Sequence, residues 1–324
     1  METATASIHP WVAEGARRVR FGINMTASPD WGAVRDFVQT AEALGFDAIM
    51  MPDHPAVLPS GTWTMLATLA EQTHTIRLGT LVSCLPYWNP VVLARLAADV
   101  DRLSGGRLVL GLGSGDMPHE FRQLGLAFPP VRERQAALEE GLRIIGPLLR
   151  GEAVTYQGEH LRVEGAQLRP PADQQPYVPL IVAGGGERTT LRFVAQYADA
   201  SNLGAASWAG GAFTSADVAH KFAVLRERCA EAGRPYEAIL RTVLLRLYLS
   251  ESRAAAEAKL AQTPPQLLAF FEQLNIVGTP EEAVIHVRAL VGAGFQYLIF
   301  GMAPFDQETL RLTAERVIPA VVSG

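Results

Sequence analysis

An aspartate and a histidine stand together where an apolar segment ends. Asp53 and His54 follow the apolar run 47–51 and lie between Pro52 and Pro55, which stiffen the loop that carries the imidazole. Histidine titrates near neutral pH and is therefore suited to proton transfer. We expect His54 to exchange a proton or to contact a flat ring, and a capped loop histidine is the alternative.

Three consecutive glycines follow another apolar segment. Gly184, Gly185 and Gly186 come after the run 180–183 and precede a helical pattern that begins near residue 189. Glycine leaves the backbone N–H groups open to a ligand, and the N-terminus of a helix favours an anion. The turn predicts a phosphate site, and a glycine turn without a ligand is the alternative.

A third turn carries Gly111, Gly113 and Gly115 and ends at Asp116. It is not a dinucleotide-binding fingerprint, because the third glycine of G-x-G-x-x-G would fall on Asp116. It is not the G-x-S-x-G elbow of a serine hydrolase either, because the positions two residues before and after Ser114 are not glycine. We expect these glycines to let a planar ring approach the backbone.

Metal binding is the rival chemistry for the acids and histidines of these turns. The chain has no H-E-x-x-H motif and no close pair of histidines, so we predict no metal site. His119 and Glu120 follow the third turn in a polar segment that suits a solvent-facing loop equally well. The aromatic residues near these segments either line a flat pocket or pack in the ordinary way: Trp63, Tyr87 and Trp88.

Apolar runs alternate with amphipathic helical patterns along the whole chain. Eight strands are predicted, near residues 20–25, 47–51, 76–82, 107–111, 180–183, 200–203, 239–249 and 295–300. The alternation predicts an α/β protein, a (β/α)8 TIM barrel with insertions after strands 4, 6 and 7, whose active-site loops leave the carboxyl ends of the strands. We expect a single domain over residues 1–324, with an N-terminal arm at 1–18 and an insertion at 151–179 that holds a small hairpin at 154–161.

The composition of the chain limits the kinds of partner that it could bind. The chain has 324 residues, is 48% hydrophobic and carries a net charge of −5, which does not favour nucleic acid or a membrane surface as a partner. Cys84 and Cys229 form neither a disulfide framework nor a zinc spacing, and no apolar run approaches the roughly 20 residues of a membrane helix. We expect a cytoplasmic protein that acts on a small-molecule substrate and pairs as a homodimer.

Taken together, the turns resemble the bacterial luciferase-like superfamily of flavin- and deazaflavin-dependent oxidoreductases, over residues 20–318. Five segments lie where that family places its cofactor contacts: 53–54, 79–82, 89–90, 113–116 and 183–186. The later segment 277–282 is also similar to the family pattern. The resemblance implies that His54 and Asp116 lie near the reacting face and are catalytic. It also implies a set of cofactor-binding residues, namely Asp53, His54, Leu81, Val82, Ser83, Gly113, Ser114, Gly115, Ala183, Gly184, Gly185 and Gly186.

Within that set, the resemblance implies a division of labour. Gly184 to Gly186 would hold the cofactor phosphate, and the turn after the third strand would support the central ring. Such families commonly carry a non-proline cis peptide in that turn, which matching places at Leu81–Val82, with Val82–Ser83 as the second choice.

The resemblance favours coenzyme F420 over FMN. The runs 184–190 and 197–203 look closer to the F420-dependent branch, and residues 204–207 lack the arginine and histidine expected of the alkanesulfonate monooxygenase branch. We therefore predict an oxidoreductase that transfers a hydride between C5 of the deazaflavin and an organic substrate. The alternatives are an FMN-dependent monooxygenase that uses reduced flavin and O2, and a non-catalytic flavin-binding protein.

Overall fold

Parallel strands and helices alternate along the chain. The computed structural model describes residues 8–26, 28–204, 210–212, 214–263 and 275–323. The strands are β1 Arg20–Asn24, β2 Ala48–Asp53, β3 Arg77–Cys84, β4 Leu108–Gly113, β5 Val154–Gln157, β6 Arg162–Ala166, β7 Leu180–Ala183, β8 Ala200–Leu203, β9 Leu240–Leu249, β10 Asn275–Gly278 and β11 Tyr297–Gly301.

One helix precedes β1, and the others lie between the strands and after the last of them. They are α1 Pro10–Arg17, α2 Trp31–Ala43, α3 Thr62–Gln72, α4 Pro90–Leu103, α5 Pro118–Gln123, α6 Val131–Leu149, α7 Thr190–Tyr197, α8 Ser215–Glu231, α9 Arg253–Ala261, α10 Pro280–Gly292, α11 Gln307–Leu312 and α12 Ile318–Val322. Short 3-10 helices span Leu85–Tyr87 and Tyr236–Ala238, and a π-helical turn at Thr313–Val317 joins α11 to α12. None of the helices described here is long and apolar enough to span a membrane.

The sheet topology confirms the predicted (β/α)8 barrel. The strands of the main sheet follow the order β10-β9-β11-β1-β2-β3-β4-β7-β8, and β9 also pairs with β8, which closes a ring of eight strands. The predicted insertions after the sixth and seventh ring strands fall in large part on residues 205–209, 213 and 264–274, outside the described residues. Backbone contacts divide the chain into two compact units, Ile23–Ala183 and Met1–Gly22 with Gly184–Gly324. That the chain is one functional domain stays a prediction.

In the unit Ile23–Ala183, four strands pair in parallel, β2 with β3, β3 with β4 and β4 with β7. Ile49, Met50 and Met51 of β2 are fully buried, as expected for a strand covered on both faces. The register shifts between Met51 and Asp53 on β2 and again between Gly79 and Ser83 on β3. These irregularities lie at the strand ends that carry Asp53 and Ser83.

The insertion after the fourth ring strand contains the predicted hairpin, with different bounds. Strands β5 and β6 pair antiparallel and extend the hairpin to Ala166, so the segment 158–161 forms the turn and not the second strand. The carboxylate of Glu140 on α6 accepts the backbone N–H groups of Glu159, His160 and Leu161 at 2.7–3.0 Å. This anchor, which short-range sequence pattern does not show, fixes the turn to the helix.

In the unit of Met1–Gly22 and Gly184–Gly324, the ten-residue strand β9 is the centre of the sheet. Strand β8 pairs with residues 240–243 of β9, and β10 pairs with residues 246–249. The sequence analysis did not predict β10. This short strand pairs with the part of β9 that extends beyond β8, and that pairing is not visible in the local sequence pattern. The predicted N-terminal arm contains helix α1, capped by His9 Nδ1, which accepts from the N–H of Trp11.

The loop between α3 and β3 offers a test of how this fold is held. Oε1 of Glu42 on α2 accepts the N–H groups of His74, Thr75 and Ile76 at 2.6–2.9 Å. Burial pushes the pKa of Glu42 up, but these hydrogen bonds outweigh it, so its pKa lies below the ordinary value of 4.5. We predict that Glu42→Ala lowers the free energy of unfolding at pH 7 by about 1–3 kcal/mol, measured by urea denaturation.

The pH dependence gives this prediction its sign. A carboxyl whose folded pKa is depressed stabilises the fold above its unfolded pKa and loses that contribution as pH falls through the folded pKa. The difference between wild type and Glu42→Ala should therefore shrink as pH falls below 4.5. Glu71→Ala, an exposed glutamate on α3, is the control and should change stability by less than about 0.5 kcal/mol. Equal effects of the two variants would contradict the assignment.

Candidate active site

Asp53 organises the carboxyl end of β2. It is 1% exposed, and its Oδ2 accepts hydrogen bonds from Ser83 Oγ at 2.7 Å and from the indole N–H groups of Trp63 and Trp88 at 3.0 Å each. Burial raises the pKa of Asp53, and the three donors act in the opposite direction. The carboxylate thus ties β2 to β3 and fixes two tryptophan rings, so these aromatic residues do more than fill space.

His54 forms a close pair with Glu120. Its Nδ1 lies 2.7 Å from Glu120 Oε2, and the glutamate is 0% exposed whereas the imidazole side chain is 20% exposed. An ionised carboxylate can only accept a hydrogen bond, so pairing with it requires the hydrogen on Nδ1 and leaves Nε2 for other chemistry. Within the part of the chain described here, no group forms a hydrogen bond to Nε2. This is the arrangement of an oriented acid–base histidine.

The sequence analysis did not predict that Glu120 is buried beside His54. Glu120 was assigned with His119 to a polar loop, but residues 118–123 form helix α5, which begins at Pro118. His119 is exposed, whereas Glu120 turns inward and also accepts Tyr87 O–H at 2.9 Å and Ala56 N–H at 3.3 Å. A proline that can open a helix, followed by an acid in the first turn, was the available signal.

Asp116 lies in the loop after β4, half-buried. Burial raises its pKa, His54 and Arg134 oppose that shift, and Glu120 adds to it. Arg134 on α6 donates from Nε to the carbonyl of Gly115 at 3.1 Å and so holds the residue before Asp116. The structure thus brings both predicted catalytic residues, His54 and Asp116, into one group of interacting charges.

The predicted cis peptide is present between Leu81 and Val82, but it lies within β3, where the register shifts between Gly79 and Ser83, and not in a turn after the strand. Opposite it, a Cβ on Gly111 would lie 2.2 Å from the carbonyl oxygen of Thr80, and one on Gly113 would lie 2.8 Å from Val82 Cγ2. These two glycines therefore serve the close packing of β3 on β4. The ring approach expected of them stays a prediction.

The triple-glycine turn lies in the other unit. Gly184 donates its N–H to the carbonyl of Asn202 at 2.9 Å, so only two of the three expected N–H groups remain for an anion. Those of Gly185 and Gly186 have no partner among the described residues, and helix α7 begins without a capping side chain at Thr189. Two open N–H groups before an uncapped helix fit a phosphate.

Gly185 has a packing role as well. A Cβ there would lie 2.1 Å from the carbonyl oxygen of Gly210, so the two backbones approach as only glycine allows. Next in the chain, the carboxylate of Glu187 pairs with Lys221 Nζ at 2.7 Å and His220 Nε2 at 3.2 Å. The hydrogen bond from Lys221 lowers the pKa of Glu187, with burial acting against it. Lys221 therefore compensates the negative charge of Glu187 beside the turn.

The acids, cysteines and histidines of the described residues do not meet the requirements of a metal site. In residues 8–323, apart from the gaps given above, no group of three or more such side chains could hold a metal ion. Cys84, behind Gly115, is buried, and burial raises the pKa of its thiol. The site is therefore built from carboxyl, imidazole, phenol and indole groups.

Comparison with known proteins places the chain in a family. Residues 16–268 match the model of the luciferase-like monooxygenase family. The chain is similar to the F420-dependent glucose-6-phosphate dehydrogenase of Amycolatopsis mediterranei (strain U-32), with 27% identity over 92% of this chain and 97% of that protein.

Solved structures share the fold. A coenzyme F420-dependent tetrahydromethanopterin reductase from Methanopyrus kandleri has a TM-score of 0.79 and 21% identity over 93% of this chain and 99% of its own. The oxygenating constituent of 3,6-diketocamphane monooxygenase from Pseudomonas putida, in complex with FMN, has a TM-score of 0.71 and 16% identity over 93% and 98%. The chain therefore belongs to the luciferase-like monooxygenase family and is an oxidoreductase.

Proposed function

We propose that the chain is an F420-dependent oxidoreductase that transfers a hydride between C5 of the deazaflavin and an organic substrate. The observation that carries the proposal is the imidazole of His54, held at Nδ1 by a fully buried carboxylate. The likeness over almost the whole chain to a relative named as F420-dependent supports the choice of cofactor. When bound, the deazaflavin supplies the hydride chemistry, and the protein supplies orientation and proton transfer.

His54 handles the proton in this proposal. A hydride that leaves or joins a carbon bearing oxygen is accompanied by a proton at that oxygen, and His54 Nε2 takes or gives it. Glu120 keeps the hydrogen on Nδ1 and stabilises the imidazolium when Nε2 is protonated. General acid–base catalysis of this kind contributes about 10²–10⁴-fold to a rate.

Asp116 is the second proposed catalytic group. Burial is the largest cause of its raised pKa, so Asp116 loses its proton at a higher pH than an ordinary aspartate does. A carboxyl group that retains a proton can donate it to a reacting atom, while Glu120 beside it is held by its three donors. Two carboxyl groups in different surroundings can thus take different roles.

The triple-glycine turn fits the phosphate of a ring cofactor. The open N–H groups of Gly185 and Gly186 before an uncapped helix suit its phosphate. The proposed cofactor-binding set is that of the sequence analysis, with Gly184 shaping the turn: Asp53, His54, Leu81, Val82, Ser83, Gly113, Ser114, Gly115, Ala183, Gly184, Gly185 and Gly186. A small-molecule substrate, a homodimer and a cytoplasmic location belong to the same proposal.

An FMN-dependent monooxygenase is the second proposed candidate, because the matching family is described as luciferase-like monooxygenase. Titrating the purified protein with F420 and with FMN, side by side, separates the two. We predict that F420 binds at least about tenfold more tightly, a difference of about 1.4 kcal/mol. Tighter FMN binding, with O2 uptake when that flavin is reduced, would support the monooxygenase instead.

His54 should control turnover more than binding. We predict that His54→Asn lowers kcat about 10²–10⁴-fold and leaves the affinity for F420 within about threefold. His119→Asn, an exposed histidine beside Glu120, is the matched control and should keep the activity of the wild type. Steady-state kinetics together with cofactor titration measure both quantities, and an unchanged kcat for His54→Asn would remove its assigned role.

Gly186 allows the phosphate site to be tested by charge at nearly constant size. A Cβ there would lie 3.0 Å from Thr190 Oγ1, so a side chain requires only a small shift, whereas Gly185 is closed by backbone. We predict that Gly186→Asp binds F420 about tenfold more weakly than Gly186→Asn, because only the aspartate repels the phosphate. Equal affinities of the two variants would place the phosphate elsewhere.

A further inference from the structure

The Glu120 carboxylate accepts hydrogen bonds from three donors in two segments, the loop after β2 and the 3-10 helix after β3. Tyr87 O–H at 2.9 Å and His54 Nδ1 at 2.7 Å both approach Oε2, and the N–H of Ala56 approaches Oε1 at 3.3 Å. The carboxylate is 0% exposed, so water does not screen its charge. The hydrogen bond from Tyr87 to Oε2 therefore weakens the interaction of this oxygen with His54.

The structure fixes Tyr87 in this role by packing. Tyr87 ends the 3-10 helix Leu85–Tyr87, and its ring packs edge-on against Phe121 with the centroids 4.9 Å apart. Phe121 follows Glu120 on α5, so the same helix receives both the ring and the hydroxyl of the tyrosine. Burial raises the pKa of Tyr87, with Cys84 and Glu120 acting in the same direction, so the phenol keeps its proton and donates it.

We propose that Tyr87 is a positioning residue that limits the basicity of Glu120 and thereby sets the pH at which His54 titrates. The catalytic consequence rests on the proposed function, whereas the effect on His54 itself does not. The charged and titratable groups that interact with His54 within residues 23–183 are Asp53, Asp116 and Glu120, with Arg134 and Cys84 beside Asp116. Of these, only Glu120 contacts both His54 and Tyr87.

The sign of the effect follows from the shared oxygen. Without the tyrosine hydroxyl, Oε2 keeps His54 as its one hydrogen-bond donor, and more of its negative charge acts on the imidazole. That charge stabilises the protonated ring, so the pKa of His54 rises. We expect Tyr87→Phe to raise the titration midpoint of His54 by about one pH unit.

The titration is measured by NMR on the imidazole Cε1–H of the intact protein, with the His54 signal assigned by its loss in His54→Asn. Tyr156→Phe, which removes the same hydroxyl from a tyrosine on β5, is the matched control and should leave the midpoint unchanged. Glu120→Gln removes the charge through which Tyr87 acts, so adding Tyr87→Phe to that variant should produce no further shift. These three results together support the inference.

Other results would overturn it. An unchanged or lowered midpoint in Tyr87→Phe would show that the tyrosine does not tune His54, and a shift that persists in the Glu120→Gln background would show that it acts by another route. The pH dependence of kcat separates this inference from the proposed function. If the NMR midpoint of His54 rises in Tyr87→Phe but the pH profile of kcat does not move, the role of Tyr87 stands and the acid–base role of His54 fails.

Discussion

A carboxylate removed completely from water must be satisfied by its neighbours, and in this protein Glu120 imposes that condition on three segments. His54 and Ala56 come from the loop after β2, Tyr87 from the 3-10 helix after β3, and Glu120 itself from α5. Leaving such a group without partners costs several kcal/mol, so the three segments can adopt only those conformations that supply the donors. The positions of the loops around His54 follow from this one requirement.

Asp53 and His54 are neighbours in the chain but have different tasks. Asp53 is almost fully buried, and its Oδ2 accepts hydrogen bonds from Ser83, Trp63 and Trp88. It therefore has a structural role. These hydrogen bonds hold the backbone of residue 53, and the backbone in turn holds the imidazole next to it. His54 remains partly exposed, with Nδ1 held by Glu120 and no hydrogen bond to Nε2 from the described residues. Rigid support beside a partly open group is what a defined proton-transfer geometry requires.

Local pattern in the sequence predicted the eight strands of the ring and the alternation of helices between them. Strands β7 and β8 span residues 180–183 and 200–203 as predicted, and the resemblance placed the cis bond at Leu81–Val82. Features that depend on distant contacts escaped prediction. Glu120 pairs with a residue 66 positions away, and the hydrogen bond from Gly184 to Asn202 removes a donor that the triple-glycine turn seemed to offer an anion.

In the proposed function, Glu120 fixes the tautomer of His54 and leaves Nε2 for proton transfer. The most direct test is ¹⁵N NMR of the His54 imidazole at a pH above its titration, where the ring is neutral. We predict the tautomer with hydrogen on Nδ1 and none on Nε2. A neutral ring that carries its hydrogen on Nε2 would contradict the account, because Nδ1 could then not donate to Glu120.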